Sequence, residues 1–210
     1  MNGVFEELTD RYPELSACLE DIALAYETAR DSFARGGKML LAGNGGSAAD
    51  CEHVVGELMK GFLSPRRLAP AEREKLLMWG EEDGAYLADR LQGALPAISL
   101  VSQSALATAY INDVAADMVF AQQVYGYGRP EDTLVVFSTS GSSANVVRAV
   151  QVAKAVGMRT IGLTGRGGGR LKTLCDVTIR VPYDRTPDIQ ERHLPIYHAL
   201  CVRLEEAFFP

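Results

Sequence analysis

The chain has 210 residues, 21 of them Lys or Arg against 27 Asp or Glu, for a net charge of −6. That length suits one domain with a sizeable core, and the acidic balance is the wrong sign for a protein that grips nucleic acid by its phosphates. At 47% hydrophobic and 23% charged residues, the chain is neither disordered nor low in complexity.

The opening residues, MNGVFEELTDRY, have no basic stretch running into an apolar one, and nowhere do eighteen apolar residues follow in succession. A cytoplasmic protein with no membrane and no nucleic-acid partner is expected. From Leu8 to Phe33 two apolar series step by seven: Leu8, Leu15, Ile22, Ala29 and Tyr12, Leu19, Tyr26, Phe33. They predict one long N-terminal packing helix, with Pro13 tolerated near its start. Such a helix could lie on its own domain or against a second subunit. Cys18, Cys51, Cys175 and Cys201 stand far apart with no C-x-x-C spacing, so reduced core thiols are expected.

Beyond Gly36-Gly37, short apolar runs end in glycine or serine and lead into helical periods. Strands are predicted at Met39 to Ala42, Ala97 to Val101, Thr133 to Phe137, Thr160 to Leu163 and Val177 to Val181. Most are separated by helix-length segments, which makes the fold class α/β, with a five-stranded parallel sheet flanked by helices. Helices are predicted at Asn145 to Val156, stopped by Gly157, and at Ile189 to Phe208. Residues 61–95 are charged and broken by proline and glycine, and read as an excursion from a single domain spanning 1–210.

The first strand runs into Gly43-Asn44-Gly45-Gly46-Ser47 and the third into Ser138-Thr139-Ser140-Gly141-Ser142-Ser143, each followed by a helix. Glycines let backbone amides approach an anion, and a helix start adds unpaired donors and a positive dipole end. The first turn fits neither G-x-G-x-x-G nor G-x-x-x-x-G-K-S/T, which argues against a dinucleotide or P-loop site. Five hydroxyls in six residues exceed what helix capping needs and suit the several acceptor oxygens of a phosphate.

All three histidines fall in two short segments. His53 and Glu57, four apart, share a helix face, while His193 and His198 lie near Gln190 and Glu191 in the last helix. A His, a carboxylate and a second His converging from two helices could hold a divalent metal or act as an acid–base pair. Spacing does not choose between Gln190 and Glu191. Gln190 and His198 are about 80° apart around an ideal helix with Pro195 between them, whereas Glu191 and His198 align better on a straight one.

With Asp50 and Asn112-Asp113 added, these motifs make the chain similar to sugar isomerase (SIS) domain proteins of the phosphoheptose isomerase family, over nearly its whole length apart from 61–95. The serine turn is common to phosphosugar-binding domains, while the His53/Glu57 and Gln190/His198 sets are more specific to this branch. The resemblance implies a homotetramer with active sites between subunits. It also implies aldose–ketose isomerisation of sedoheptulose 7-phosphate to D-glycero-D-manno-heptose 7-phosphate through an enediol. On the same ground Asn44, Gly45, Gly46, Ser47, Asn112, Asp113, Ser138, Thr139, Ser140, Ser143 and Gln190 would bind the sugar phosphate. His53, Glu57, Gln190 and His198 would hold one zinc ion (Zn2+), and Glu57 and His198 would double as the acid–base pair.

Two features depart from the family pattern. Residues 61–95 are longer than its usual connection, and Pro187 stands where some relatives place an acidic residue that helps open the sugar ring, which leaves Asp188 as a candidate. Some related SIS proteins are not enzymes and bind the bacterial replication initiator. Retention of His53, Glu57, Gln190 and His198 together favours the enzyme.

Overall fold

The five apolar runs form β1 (Met39–Ala42), β2 (Ala97–Ser99), β3 (Thr133–Phe137), β4 (Arg159–Thr164) and β5 (Val177–Arg180) in a computed structural model that describes residues 3–210. Met1 and Asn2, the first residues of the expected domain, lie outside the described residues. All strand pairs are parallel and the order is β2-β1-β3-β4-β5, as the apolar runs predict. β2 stops two residues short of expectation because Leu100 and Val101 already turn away from the sheet.

Ten helices accompany the sheet among the described residues: α1 (Gly3–Arg11), α2 (Leu19–Ala34), α3 (Gly46–Met59), α4 (Pro70–Leu76), α5 (Glu81–Arg90), α6 (Ser104–Asp113), α7 (Val119–Tyr127), α8 (Ala144–Ala155), α9 (Leu171–Leu174) and α10 (Thr186–Phe208). Every residue of β1 and β3 is buried, because helices cover both faces. Alternate strand residues point to opposite faces. Leu41, Val135 and Leu163 meet Ile22 of α2, Leu58 of α3 and Ile196 and Leu204 of α10. Leu40, Leu134 and Val136 meet Val124 of α7 and Val146 and Val150 of α8.

The N-terminal stripe is not one helix. Tyr12 has φ −133° and ψ 72°, because the residue before a proline is driven out of the helical region. Pro13 instead opens a 3-10 turn over Pro13–Cys18 that joins α1 to α2. Both seven-step series still face the core, with Leu8, Leu15, Ile22, Ala29, Tyr26 and Phe33 buried and Tyr12 and Leu19 packed against them. The stripe therefore lies on its own chain, α1 against α10 and α2 against β5.

The excursion is shorter than 61–95. Arg67 and Gln92 form an antiparallel bridge and the Gly93 N–H donates to the Arg66 carbonyl at 2.7 Å, so residues 68–91 stand on a closed stem. Within it α4, α5 and a 3-10 turn at Leu77–Trp79 pack on one another. Cys18, Cys51, Cys175 and Cys201 are all free thiols. No described helix is long and apolar enough to cross a membrane.

Candidate active site

The chain moves from β1 outward to β2 and then returns to the other side of β1 to lay down β3, so the sheet's switch point falls between β1 and β3. Open α/β sheets bind ligands in the crevice at such a point, beyond the carboxyl ends of the strands. The glycine turn follows β1 and the serine turn follows β3, which puts both predicted turns on the two lips of that crevice. Gly45, at φ 59°, carries the chain into α3. Gly141, at φ 64°, lies so close to Gly168 that any side chain would strike its carbonyl.

The serine turn is seated on the loop that follows β4. Its Thr139 and Gly141 carbonyls each accept an N–H at 3.0 Å, from Gly165 and Leu171. Ser142 Oγ accepts the Arg170 N–H at 3.2 Å, and Ser138 Oγ lies 3.1 Å from Ser143 Oγ. The two turns are also tied to each other. Asn44 Nδ2 donates to Asn145 Oδ1 at 3.0 Å and Asn145 Nδ2 returns a bond to Asn44 Oδ1 at 2.8 Å. Ser47 and Ser138 are buried and Ser140 is exposed. Two helix starts, α3 and α8, thus face one polar crevice with hydroxyls and unpaired amides, an arrangement suited to a phosphate.

Below the crevice α3 and α10 run side by side. A side chain on Gly46 would come within 2.9 Å of Gln190 Nε2, so the end of the Gln190 side chain lies directly over the start of α3. Further along, Tyr197 Oη donates to Asp50 Oδ1 at 3.2 Å and meets His53 Nδ1 at 3.0 Å. With its one proton given to Asp50, the hydroxyl accepts from Nδ1–H. That network places a proton on His53 Nδ1, so that in the neutral ring it is Nε2 that turns its lone pair toward Glu57. Burial raises the Asp50 carboxyl above its ordinary value, against the opposing pull of Tyr197 and His53.

His53 Nε2 lies 3.2 Å from Glu57 Oε1, and the His53 and His198 ring centroids are 5.0 Å apart. Lys60 Nζ reaches Glu57 Oε2 at 3.4 Å. In the neutral ring two lone-pair atoms face each other, which calls for a proton or a cation between them. His198 Nε2 is buried with no hydrogen-bond partner. Burial first, and His53 second, hold its imidazole below the usual pKa, with Glu57 opposing them. The donors therefore fit a zinc ion in kind. Among the described residues, however, no three His, Cys, Asp or Glu side chains are already arranged as a ligand set.

Other candidates stand apart. Gln190 sits beside Gly46, about 12 Å along the helix from His198. Glu191 is exposed and pairs with Arg192 at 3.6 Å. His193 is a core residue with 0% exposure, its pKa lowered to about 4 by burial. Asn112 and Asp113 end α6, exposed, with a 2.8 Å bond between them and no side-chain bond to either turn. Asp188 pairs with Arg185 at 3.7 Å. Sequence reading does not single out Asn145 or Tyr197. Their only signal is position, Asn145 two residues past the serine turn and Tyr197 next to His198.

Residues 84–165 match the SIS domain family. The chain is 39% identical over 198 residues to the phosphoheptose isomerase of Rhodospirillum rubrum, covering 94% of this chain and 92% of that one. It is 40% identical over 209 residues to that of Geotalea daltonii, covering 100% of this chain and 90% of that one. The solved phosphoheptose isomerase from Neisseria gonorrhoeae superposes with a TM-score of 0.75 at 34% identity, over 96% of this chain and 95% of that one. With the switch-point turns and the His53–Glu57–His198 group in place, this similarity over nearly the full length settles the family: the chain belongs to the phosphoheptose isomerases of the SIS-domain fold.

Proposed function

We propose that this protein interconverts sedoheptulose 7-phosphate and D-glycero-D-manno-heptose 7-phosphate, in the cytoplasm. The observation that carries the reading is the His53–Glu57–His198 group on α3 and α10, with α3 opening from the glycine turn that Asn44 and Asn145 tie to the serine turn. Amides and hydroxyls of Gly45, Gly46, Ser47, Ser138, Thr139, Ser140 and Ser143 hold the phosphate, and Asn44, Asn112, Asp113 and Gln190 contact the sugar. Binding energy realised there, remote from the reacting carbons, orients C1 and C2 for reaction.

Glu57 removes a proton from C1 of the ketose, an enediol forms, and a proton is delivered to C2. His198, whose pKa burial lowers, exchanges protons with the O1 and O2 oxygens as acid and base. His53, Glu57, Gln190 and His198 would hold zinc. When bound, the ion supplies electrophilic stabilisation of the oxygen that gains negative charge.

We also propose a homotetramer in which each site draws on two chains. What supports this is the separation, within one chain, of Gln190 from the other three proposed ligands. The test of the reaction is incubation with sedoheptulose 7-phosphate in deuterated water, with and without chelator. Aldose should form with one deuterium at C2, and chelator should suppress it. Absence of both aldose and exchange in zinc-loaded protein would reject the reading.

A further inference from the structure

Arg66 is the largest fully buried side chain among the described residues, 0% exposed although Pro65 and Arg67 on either side of it are exposed. Its Nε donates to Glu205 Oε1 at 2.6 Å, Nη1 to the Leu58 carbonyl at 2.6 Å and Nη2 to the Glu57 carbonyl at 2.8 Å. Both carbonyls belong to the last turn of α3, which the helix itself leaves unpaired. Glu205, on α10, also accepts the N–H groups of Phe62, Leu63 and Ser64 at 2.8, 2.7 and 2.9 Å. The Phe62 ring in turn lies 5.4 Å from the His198 ring. Arg66 itself has φ 41°, a left-handed conformation that a non-glycine residue keeps only where its surroundings enforce it.

We propose that Arg66 and Glu205 are a positioning pair for the reaction, locking the end of α3 that carries Glu57 to the helix that carries His198. This rests on the reading of Glu57 and His198 as the reacting groups. A guanidinium presents several donors in one rigid plane, so a single side chain fixes two helix-end carbonyls and a carboxylate together, which an ammonium cannot reproduce. An ion pair serving stability alone would not need that geometry, since buried pairs are often replaced by apolar residues without loss. Neither residue makes a hydrogen bond to the turns assigned to the phosphate. The pair should therefore govern the chemical step and not substrate affinity.

The experiment compares zinc-loaded wild type with Arg66→Lys and Glu205→Gln. We expect kcat per folded site to fall about tenfold or more and zinc affinity, read by chelator competition, to weaken about tenfold. KM for sedoheptulose 7-phosphate should stay within about twofold, and added guanidinium should restore part of the lost kcat to Arg66→Ala. Should the single variants fail to fold, the double variant Arg66→Met, Glu205→Leu removes both charges at once and is read the same way. Folded variants that lose thermal stability but keep wild-type kcat and zinc affinity would overturn the proposal. A wild type that turns over no heptose phosphate would instead reject the functional reading, and the zinc affinities alone would then decide the pair.

Discussion

Asn44 and Asn145 exchange two amide hydrogen bonds, of 3.0 and 2.8 Å, between residues 101 positions apart, and so hold the glycine turn and the serine turn as one cradle. Asn44 spends one N–H and one oxygen lone pair on the bridge and keeps one of each for a ligand, so the bridge is compatible with its proposed sugar contact. Removing the bridge should loosen both turns without touching Glu57 or His198. At roughly 0.5–1.5 kcal/mol net per hydrogen bond, and nearer the low end at an exposed site, Asn145→Ala should raise KM about fivefold. Steady-state kinetics should find kcat within about twofold of wild type. A selective loss of kcat would instead draw this pair into the chemistry.

Glu57 faces His53 Nε2 on one oxygen and Lys60 on the other. Its substitution by the isosteric Gln removes the proton acceptor while keeping the shape. General-base contributions are typically about 10²–10⁴-fold, so Glu57→Gln should lose at least about 10² in kcat and equally in deuterium exchange. Inhibition by inorganic phosphate, which reports on the turns alone, should be unchanged. Exchange at the wild-type rate would take Glu57 out of the mechanism.

The sheet was legible because period and composition carry it. Runs such as Leu134 to Phe137 are buried on both faces, and that requires apolar residues throughout. The turns were legible because glycine and hydroxyl residues at strand ends have few other uses. What escaped was set by single backbone angles and by long-range pairing. Tyr12 leaves the helical region before Pro13 although the seven-residue repeat continues across the break. Arg66, in a segment that reads as charged surface, is buried by Glu205, 139 residues away, and no local pattern announces that. Neither could spacing show that Gln190 would meet Gly46, since helix periodicity fixes relations within one helix and not between two.

His193 offers a pH test that separates a core histidine from a working one. An imidazole titrates near 6.5 in the unfolded chain, while burial lowers that of folded His193 to about 4. The unfolded state thus binds the extra proton more readily between these values. Stability from this residue is complete above about 6.5 and is lost as pH falls toward 4, by roughly 3 kcal/mol in all. Urea denaturation across that range should show the slope, and His193→Gln should flatten it whatever its effect on absolute stability. An unchanged slope in the variant would show that His193 is not the source.

Residues 68–91 leave and return at the bridged pair Arg67 and Gln92, and bridged residues lie only about 5 Å apart. A two-residue Asn-Gly turn spans that gap in an antiparallel pair. Replacing 68–91 by Asn-Gly should therefore leave the sheet folded, with a melting temperature within about 5 °C of wild type. Because α4 and α5 pack on each other and on the turn between them, turnover should survive as well. Loss of turnover in a folded deletion would make the excursion part of the site.

Whether one chain or two build each site can be decided by mixing lesions. Gln190→Ala and Glu57→Gln should each be inactive alone. If Gln190 of one subunit completes the group on another, equal co-expression leaves about a quarter of the sites with both groups intact in a symmetric oligomer with random assembly. Activity of purified mixed tetramers should then return to about a quarter of wild type. If each site lies within one chain, every chain carries a lesion and nothing returns. Gln190 stands beside Gly46, about 12 Å along α10 from His198, and that separation is why we expect the activity to return.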